Sequence, residues 1–284
     1  MGIASSGTPL GAAVAGPIVG LIALYFNWKA SFIIMALIGL IWAIFWWRLA
    51  RDLPSEDPHI SQEEVNEINQ GKITVNFSNG NSKQPLSFFL KQRTVLLTAL
   101  AFFAYNYNLF FFLTWFPSYL TMAKGLSISQ MSIVTVIPWF TGFIGLASGG
   151  FISDFVFRKT GKLMFSRKVI LVVGLGATAI CICLTGFVES VVWAVILMSI
   201  AIFSLYLTGS TYWALIQDTV SEENVGGVSG FVHFLANLSG VIGPAVTGFI
   251  VQSTGVFTSA FVLAGFLALV GSLSVAFFVR PIKV

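Results

Sequence analysis

The sequence predicts an all-α, polytopic membrane protein with about eight transmembrane helices. Only 9% of its 284 residues are charged, whereas 56% are hydrophobic and 15% are aromatic; an ordinary soluble domain is about 25% charged. Five long runs contain no Asp, Glu, Lys or Arg, and they cover residues 94–123, 125–153, 169–188, 190–217 and 225–279. Each run is long enough for at least one spanning helix, which needs about 20 mostly apolar residues.

The polar residues between these runs set the expected bounds of the helices. We expect eight helices, with an error of a few residues at each end, at 3–26, 30–47, 94–121, 129–151, 169–188, 191–216, 226–251 and 257–279. Because each helix crosses the membrane once, successive connections lie on alternate sides of it.

Basic residues are concentrated on one of these two sides. Residues 48–93, 153–168 and 280–284 hold thirteen of the fifteen Lys and Arg, and five of them lie between Arg158 and Lys168. The other two are Lys29 and Lys124. Lys and Arg close to membrane helices mark the cytoplasmic side. The pattern therefore predicts an inner- or plasma-membrane protein with both termini in the cytoplasm.

Residues 48–93 form the one segment with a soluble composition. Ser61 and Glu64 have the spacing of a capping box and predict the start of a short helix. The polar stretch 71–84 predicts a tether between two helical groups, with a regulatory loop as the alternative.

Small residues and two polar ones recur along one stripe of the seventh predicted helix. Spacings of three and four residues put six positions on one face: Gly226, Gly230, His233, Asn237, Gly240 and Pro244. Polar side chains within the hydrocarbon need partners or water. The stripe therefore lines a central cavity or, alternatively, packs against another helix.

Two further helices carry polar residues at helical spacing. Ser210 and Trp213 share a face of the sixth predicted helix, and Tyr105 and Asn108 share a face of the third. The N–H and apolar face of a Trp suit a polyol, with packing as the alternative.

The sequence holds no paired nucleophile and base, no metal-ligand spacing and no phosphate loop. It therefore predicts no enzyme activity, cofactor, metal or nucleic-acid partner.

Three motifs carry a family resemblance. Gly150-x-x-x-Asp154 followed by Arg158-Lys159-x-Gly161-Lys162, the stretch 113–120 and the turn at 27–32 are similar to motifs of the major facilitator superfamily. In particular, they resemble its anion:cation symporter branch, which includes sugar-acid and organic-anion permeases. The repeated Gly-Pro at Gly16-Pro17 and Gly243-Pro244 fits the parallel repeats of transporters.

This resemblance implies that the chain begins near the fifth helix of the family. Residues 1–47 would be two helices of an N-terminal bundle, 48–93 a cytoplasmic linker and 94–284 a complete six-helix C-terminal bundle. The implied function is proton-coupled uptake of an organic anion, such as a hexuronate or aldonate, by alternating access, with the lipid bilayer as its setting. The alternative is a truncated, transport-inactive membrane protein that acts at most as an interaction scaffold.

The resemblance also implies roles for single residues. The expected cytoplasmic gate comprises Gly150, Asp154, Arg158, Lys159 and Gly161. Asp154 would contact Arg158 and a neighbouring helix N-terminus in one conformation and release them in another, with a simple interfacial charge as the alternative. The expected substrate-binding residues are Thr8, Tyr105, Asn108, Ser210, Trp213, His233 and Asn237.

His233 stands where the branch commonly has Asn. An imidazole can hydrogen-bond a carboxylate and can change charge near neutrality, so a proton relay at His233 is a secondary hypothesis.

Overall fold

The computed structural model describes residues 2–51, 54–57, 60–70, 85–220 and 222–279. All of the regular secondary structure in these ranges is helical: α1 (Gly2–Tyr25), α2 (Trp28–Leu49), a 3₁₀ turn (Pro54–Glu56), α3 (Gln62–Gln70), α4 (Leu86–Leu90), α5 (Arg93–Ser118), a π turn (Tyr119–Ala123), α6 (Ile128–Val134), α7 (Val136–Thr160), α8 (Leu163–Thr185), α9 (Val191–Gln217), α10 (Glu222–Thr254) and α11 (Thr258–Phe278). The predicted tether at 71–84 and the tail at 280–284 lie outside the described residues.

Within the described ranges, eight helical stretches are long and apolar enough to cross a membrane. They are α1, α2, α5 with its π turn, α6 with α7, and each of α8 to α11. The prediction of an all-α polytopic membrane protein is therefore confirmed.

The chain forms two compact units, and the smaller one holds described residues 18–70. In this unit the Ser31 hydroxyl donates to the Val19 carbonyl at 3.3 Å, joining α2 to α1. The Glu64 carboxylate accepts from the Ser61 backbone N–H at 3.1 Å, and the Ser61 hydroxyl accepts from the Glu64 N–H at 3.2 Å. The capping box predicted at the start of α3 is therefore confirmed.

The larger unit holds described residues 2–17 and 85–279. Its membrane helices pack in the order α10, α5, α11, α8, α9, α7, each against the next. Buried aromatic rings fill the centre, where Phe261 of α11 meets Phe111 of α5 at 5.0 Å and Tyr119 at 4.8 Å between ring centroids. The three-part division at residues 47 and 93 stays a prediction.

Glycines set the close approach of α7 to α9. A Cβ atom at Gly145 or Gly149 would collide with the carbonyl oxygen of Phe203 or Leu207 on α9. Small residues let membrane helices pack backbone against backbone. Gly150, by contrast, faces open space, so it is Gly149 alone of this pair that permits the contact with α9.

Proline explains the break between α6 and α7 at Thr135. In a continuous helix the ring of Pro138 would clash with the carbonyl of the residue four positions earlier, Val134, and Pro138 has no N–H to donate to it. Before the break, Ser127 and Gln130 form a second capping box, which starts α6 at Ile128.

The structure corrects the predicted loop at 153–168. α7 continues to Thr160 and α8 begins at Leu163, so the connection between them is Gly161–Lys162. Gly161 adopts φ 66° and donates its N–H to the Phe157 carbonyl at 2.8 Å, which is the usual glycine end of a helix. Near the start of α8, Lys168 fits into the helix because its ammonium donates to the Ala276 and Val279 carbonyls at 2.9 and 3.1 Å.

Candidate functional site

Three helices each contribute one ring to a cluster that we call the aromatic platform: Phe102 of α5, Trp213 of α9 and His233 of α10. The ring of His233 lies 5.3 Å from that of Trp213 and 5.6 Å from that of Phe102. Phe102 is buried and meets Trp213 edge-on at 5.8 Å. Behind it, Tyr212 stacks on Phe102 at 4.6 Å, so the platform has a rigid base.

The platform keeps polar groups available for a ligand. Among the described residues, none accepts a hydrogen bond from the Trp213 indole N–H. None of them forms a hydrogen bond with an imidazole nitrogen of His233. His233 and Asn237 are exposed on one face of α10, and the Asn237 amide donates to the His233 carbonyl at 2.8 Å. The platform therefore combines a flat apolar ring with unused hydrogen-bonding groups.

Tyr105, Asn108 and Thr8, the other predicted substrate-binding residues, differ in burial and in their contacts. Tyr105 is buried between α5 and α9, with ring centroids 5.6 Å from Tyr212 and 6.3 Å from Tyr206. Asn108 is fully buried and donates its amide to the Ala104 carbonyl at 2.8 Å, whereas Thr8 is exposed on α1. Their predicted roles in substrate binding stay predictions.

A second polar group, which we call the basic-end cluster, joins α7, α8 and the end of α9. It consists of Ser153, Asp154, Arg167 and Asp218. The Arg167 guanidinium donates to the Asp218 carboxylate at 3.1 Å and to the Ser153 hydroxyl at 2.7 Å, and it lies 3.6 Å from the Asp154 carboxylate. Side-chain exposure is 15% for Arg167, 22% for Asp218 and 61% for Asp154, so the bond to Asp218 is the better shielded of the two ion pairs.

A cavity of about 160 Å³ connects this cluster with residues from both predicted sites. Its walls include Gly150, Asp154, Arg167, Ser210 and Gln217. The structure therefore brings Ser210, predicted to bind substrate, beside Gly150 and Asp154, predicted to form the gate.

The other predicted gate residues lie further along α7. Arg158 and Lys159 are exposed in its last turn, and the Lys159 ammonium lies 4.6 Å from the centroid of the Phe155 ring. In this conformation the ion-pair partner of Asp154 is Arg167 on α8, whereas the sequence suggested Arg158. The gating roles stay predictions.

Phe102, Arg167 and Asp218 were not predicted as site residues from the sequence. Signals for two of them are visible there: Asp218 directly follows the uncharged run 190–217, and Arg167 is one of the five basic residues between Arg158 and Lys168. Phe102 carries no such signal, because one Phe among 28 is indistinguishable before its neighbours are known.

The fold and these two clusters define a polytopic helical membrane protein whose polar residues meet between helices. Residues 1–244 match the family model described as Major Facilitator Superfamily. The chain belongs to this family, as the motifs in its sequence indicated.

Several curated relatives match almost the whole chain. The "Hexuronate transporter" of Bacillus subtilis (strain 168) is 54% identical over 284 residues, which are 99% of this chain and 65% of that protein. The "Probable sulfoacetate transporter SauU" of Cupriavidus necator is 30% identical, covering 99% of this chain and 64% of the relative. A "Probable galactarate/D-glucarate transporter" of Escherichia coli (strain K12) is also 30% identical, covering 95% and 61%. The chain thus spans slightly less than two thirds of the length of these relatives.

Proposed function

We propose that this chain provides the substrate-binding bundle of a secondary transporter that takes up an organic anion, in particular a sugar acid such as a hexuronate. The observation that carries the proposal is the 54% identity, over 99% of the chain, to a protein named as a hexuronate transporter. The aromatic platform supports the same substrate class, because it offers a ring face beside unused hydrogen-bonding groups.

In the proposed binding mode, the apolar face of the sugar lies against Trp213 and its carboxylate meets His233 and Asn237. Ser210 lies on the same helix as Trp213 and lines the small cavity, and its hydroxyl bonds a sugar hydroxyl. Tyr105 and Asn108 support this arrangement from within the bundle, since both are buried. Thr8 contributes from α1.

We propose alternating access as the mechanism, with two helical bundles rocking about the site. Asp154 opens and closes the cytoplasmic gate together with Gly150, Arg158, Lys159 and Gly161. The basic-end cluster supports this role, because the Asp154 carboxylate is 61% exposed and lies 3.6 Å from Arg167, so this ion pair costs little to break. Uptake is coupled to protons, with His233 as the candidate relay.

The proposed setting is the inner or plasma membrane, with both termini in the cytoplasm. The distribution of basic residues supports this orientation: thirteen of fifteen fall on one side of the predicted topology.

Uptake of labelled hexuronate by cells that express residues 1–284, and lack an uptake system of their own, tests the proposal. We expect accumulation above an empty-vector control, and we expect a protonophore to abolish it. If the chain reaches the membrane without causing uptake, binding of hexuronate to the purified chain separates the alternatives. Binding without uptake supports the transport-inactive alternative, whereas failure to bind any sugar acid contradicts the substrate class.

A further inference from the structure

A larger cavity lies at the opposite end of the six-helix bundle from the basic-end cluster. Its volume is about 770 Å³, and it forms where the π turn after α5, the connection from α8 to α9 and the connection from α10 to α11 meet. None of the residues of the aromatic platform or the basic-end cluster lines it. The cavity is therefore a separate feature of the molecule.

Three of the polar side chains in the walls of this cavity already have partners within the protein. The Trp115 indole N–H donates to the Pro244 carbonyl at 3.2 Å, the Tyr119 hydroxyl to the Thr185 carbonyl at 3.3 Å, and the Thr258 hydroxyl to the Gly186 carbonyl at 2.8 Å. The other polar side chains of the walls are those of Lys124, Glu189 and Gln252. The walls also present aromatic carbon, since Phe257 packs edge-on against Trp115 and Tyr119 at 6.3 and 5.6 Å.

Two opposite charges border the same cavity. The Lys124 ammonium donates to the Val188 and Glu189 carbonyls at 2.7 and 2.8 Å, and because an ammonium has three N–H groups, one remains for a ligand. The Glu189 side chain is exposed, and no Lys, Arg or His among the described residues lies within ion-pair distance of its carboxylate. A ligand with one anionic and one cationic group satisfies both residues.

We propose that this cavity binds a glycerophospholipid whose headgroup carries a phosphate and a primary ammonium. The phosphate meets Lys124, the ammonium meets Glu189, and an acyl chain lies along Trp115 and Phe257. The position fits, because the ends of spanning helices lie at the level of the lipid headgroups. The site is independent of the proposed transport activity.

Native mass spectrometry of the purified 284-residue chain, titrated with single lipids, tests this site. We expect phosphatidylethanolamine to bind more tightly than phosphatidylcholine, which lacks N–H donors, and than phosphatidylglycerol, which lacks the cation. Glu189→Gln should weaken phosphatidylethanolamine binding about tenfold, as expected for a lost charge-assisted hydrogen bond, and leave phosphatidylglycerol binding unchanged. Val256→Trp, which fills the cavity from an exposed wall position, should weaken both.

Two matched variants control for net charge: Glu63→Gln on α3 and Lys162→Met at the basic end should bind phosphatidylethanolamine like the unmodified chain. Lys124→Met is a less clean test, because Lys124 also fixes the connection from α8 to α9. Equal binding of all three lipids, or unchanged phosphatidylethanolamine binding in both Glu189→Gln and Val256→Trp, would overturn the proposal and indicate non-specific annular lipid.

Discussion

Trp213 offers one hydrogen-bond donor and one ring face, and a single substitution separates the two. Trp213→Phe keeps a ring against Phe102 and His233 but removes the indole N–H. We expect the affinity for a hexuronate to fall about three- to tenfold, because a hydrogen bond contributes about 0.5–1.5 kcal/mol. Calorimetric titration of the purified chain measures the change. Trp193→Phe is the control, since Trp193 lies on the same helix and is 59% exposed; an equal loss in both variants would contradict the role of Trp213.

His233 is the residue at which substrate binding and proton movement can be distinguished. His233→Asn preserves a hydrogen-bonding side chain but removes the imidazole that the proposed relay requires. We expect uptake to persist with a flatter pH profile. His59→Asn, at the other histidine of the sequence, should keep the original profile. Transport with an unchanged pH dependence in His233→Asn would exclude the relay.

Arg167 has two carboxylate neighbours, and their exposure predicts very different energies. We expect a double-mutant cycle of Arg167→Gln and Asp218→Asn to give a coupling free energy of about 1–2 kcal/mol, because both groups are mostly buried and directly hydrogen-bonded. The cycle with Asp154→Asn should give less than about 0.5 kcal/mol, since Asp154 is 61% exposed. Reversible unfolding in mixed detergent measures both cycles. A larger coupling to Asp154 than to Asp218 would mean that the gate residue has a structural role.

At the scale of whole helices, the seam between α7 and α9 offers two adjacent glycines with opposite surroundings. Gly149→Ala places a methyl group against the Leu207 carbonyl, and we expect it to destabilise the bundle by about 1–3 kcal/mol through overpacking. Gly150→Ala, which faces open space, should be neutral or slightly stabilising, because Ala is the better helix former by about 1 kcal/mol. Thermal unfolding of the two variants in the same detergent compares them. A similar loss of stability in both would show that α7 and α9 pack in a different register.

The helices themselves were largely predictable, because the length of an apolar run is a strong signal. Every spanning segment is longer than the about 20 residues that a membrane crossing needs. Some ends were predictable as well: Ser61 and Glu64 gave the start of α3, and the similar pair Ser127 and Gln130 would have given the start of α6. The prediction failed between 153 and 168. There the charges suggested a loop, yet Arg167 and Lys168 fit into helical turns through partners that are distant in sequence, namely Asp218 and the end of α11.

The candidate site was predictable in its residue types but not in its assembly. Helical spacing placed Ser210 with Trp213 and His233 with Asn237, because such pairs depend on one helix alone. That Trp213 meets His233 depends on the packing of α9, α10 and Phe102 of α5. Spacing within a single helix contains no information about such contacts, so the platform emerged only from the fold.

For the whole molecule, orientation in the membrane is the property on which the proposed gate and the proposed lipid site both depend. The five basic residues between Arg158 and Lys168 lie at one end of the six-helix bundle, whereas Lys124 and Glu189 lie at the other. α8 connects the two ends, and its 23 residues span about 34 Å at 1.5 Å per residue, enough to cross the hydrocarbon core.

Single cysteines at the two ends of α8 report this orientation directly. In a chain with Cys181→Ala and Cys183→Ala, we expect Ser190→Cys to react with a membrane-impermeant maleimide in intact cells. Lys162→Cys should react only after the membrane is permeabilised, because Lys and Arg are retained in the cytoplasm. Ser190 and Lys162 suit the test, since both are exposed and neither side chain caps the helix that follows it. Lys91→Cys, before α5, should behave like Lys162→Cys; labelling of positions 91 and 162 from opposite sides would contradict the number of membrane crossings between them, and with it the predicted topology.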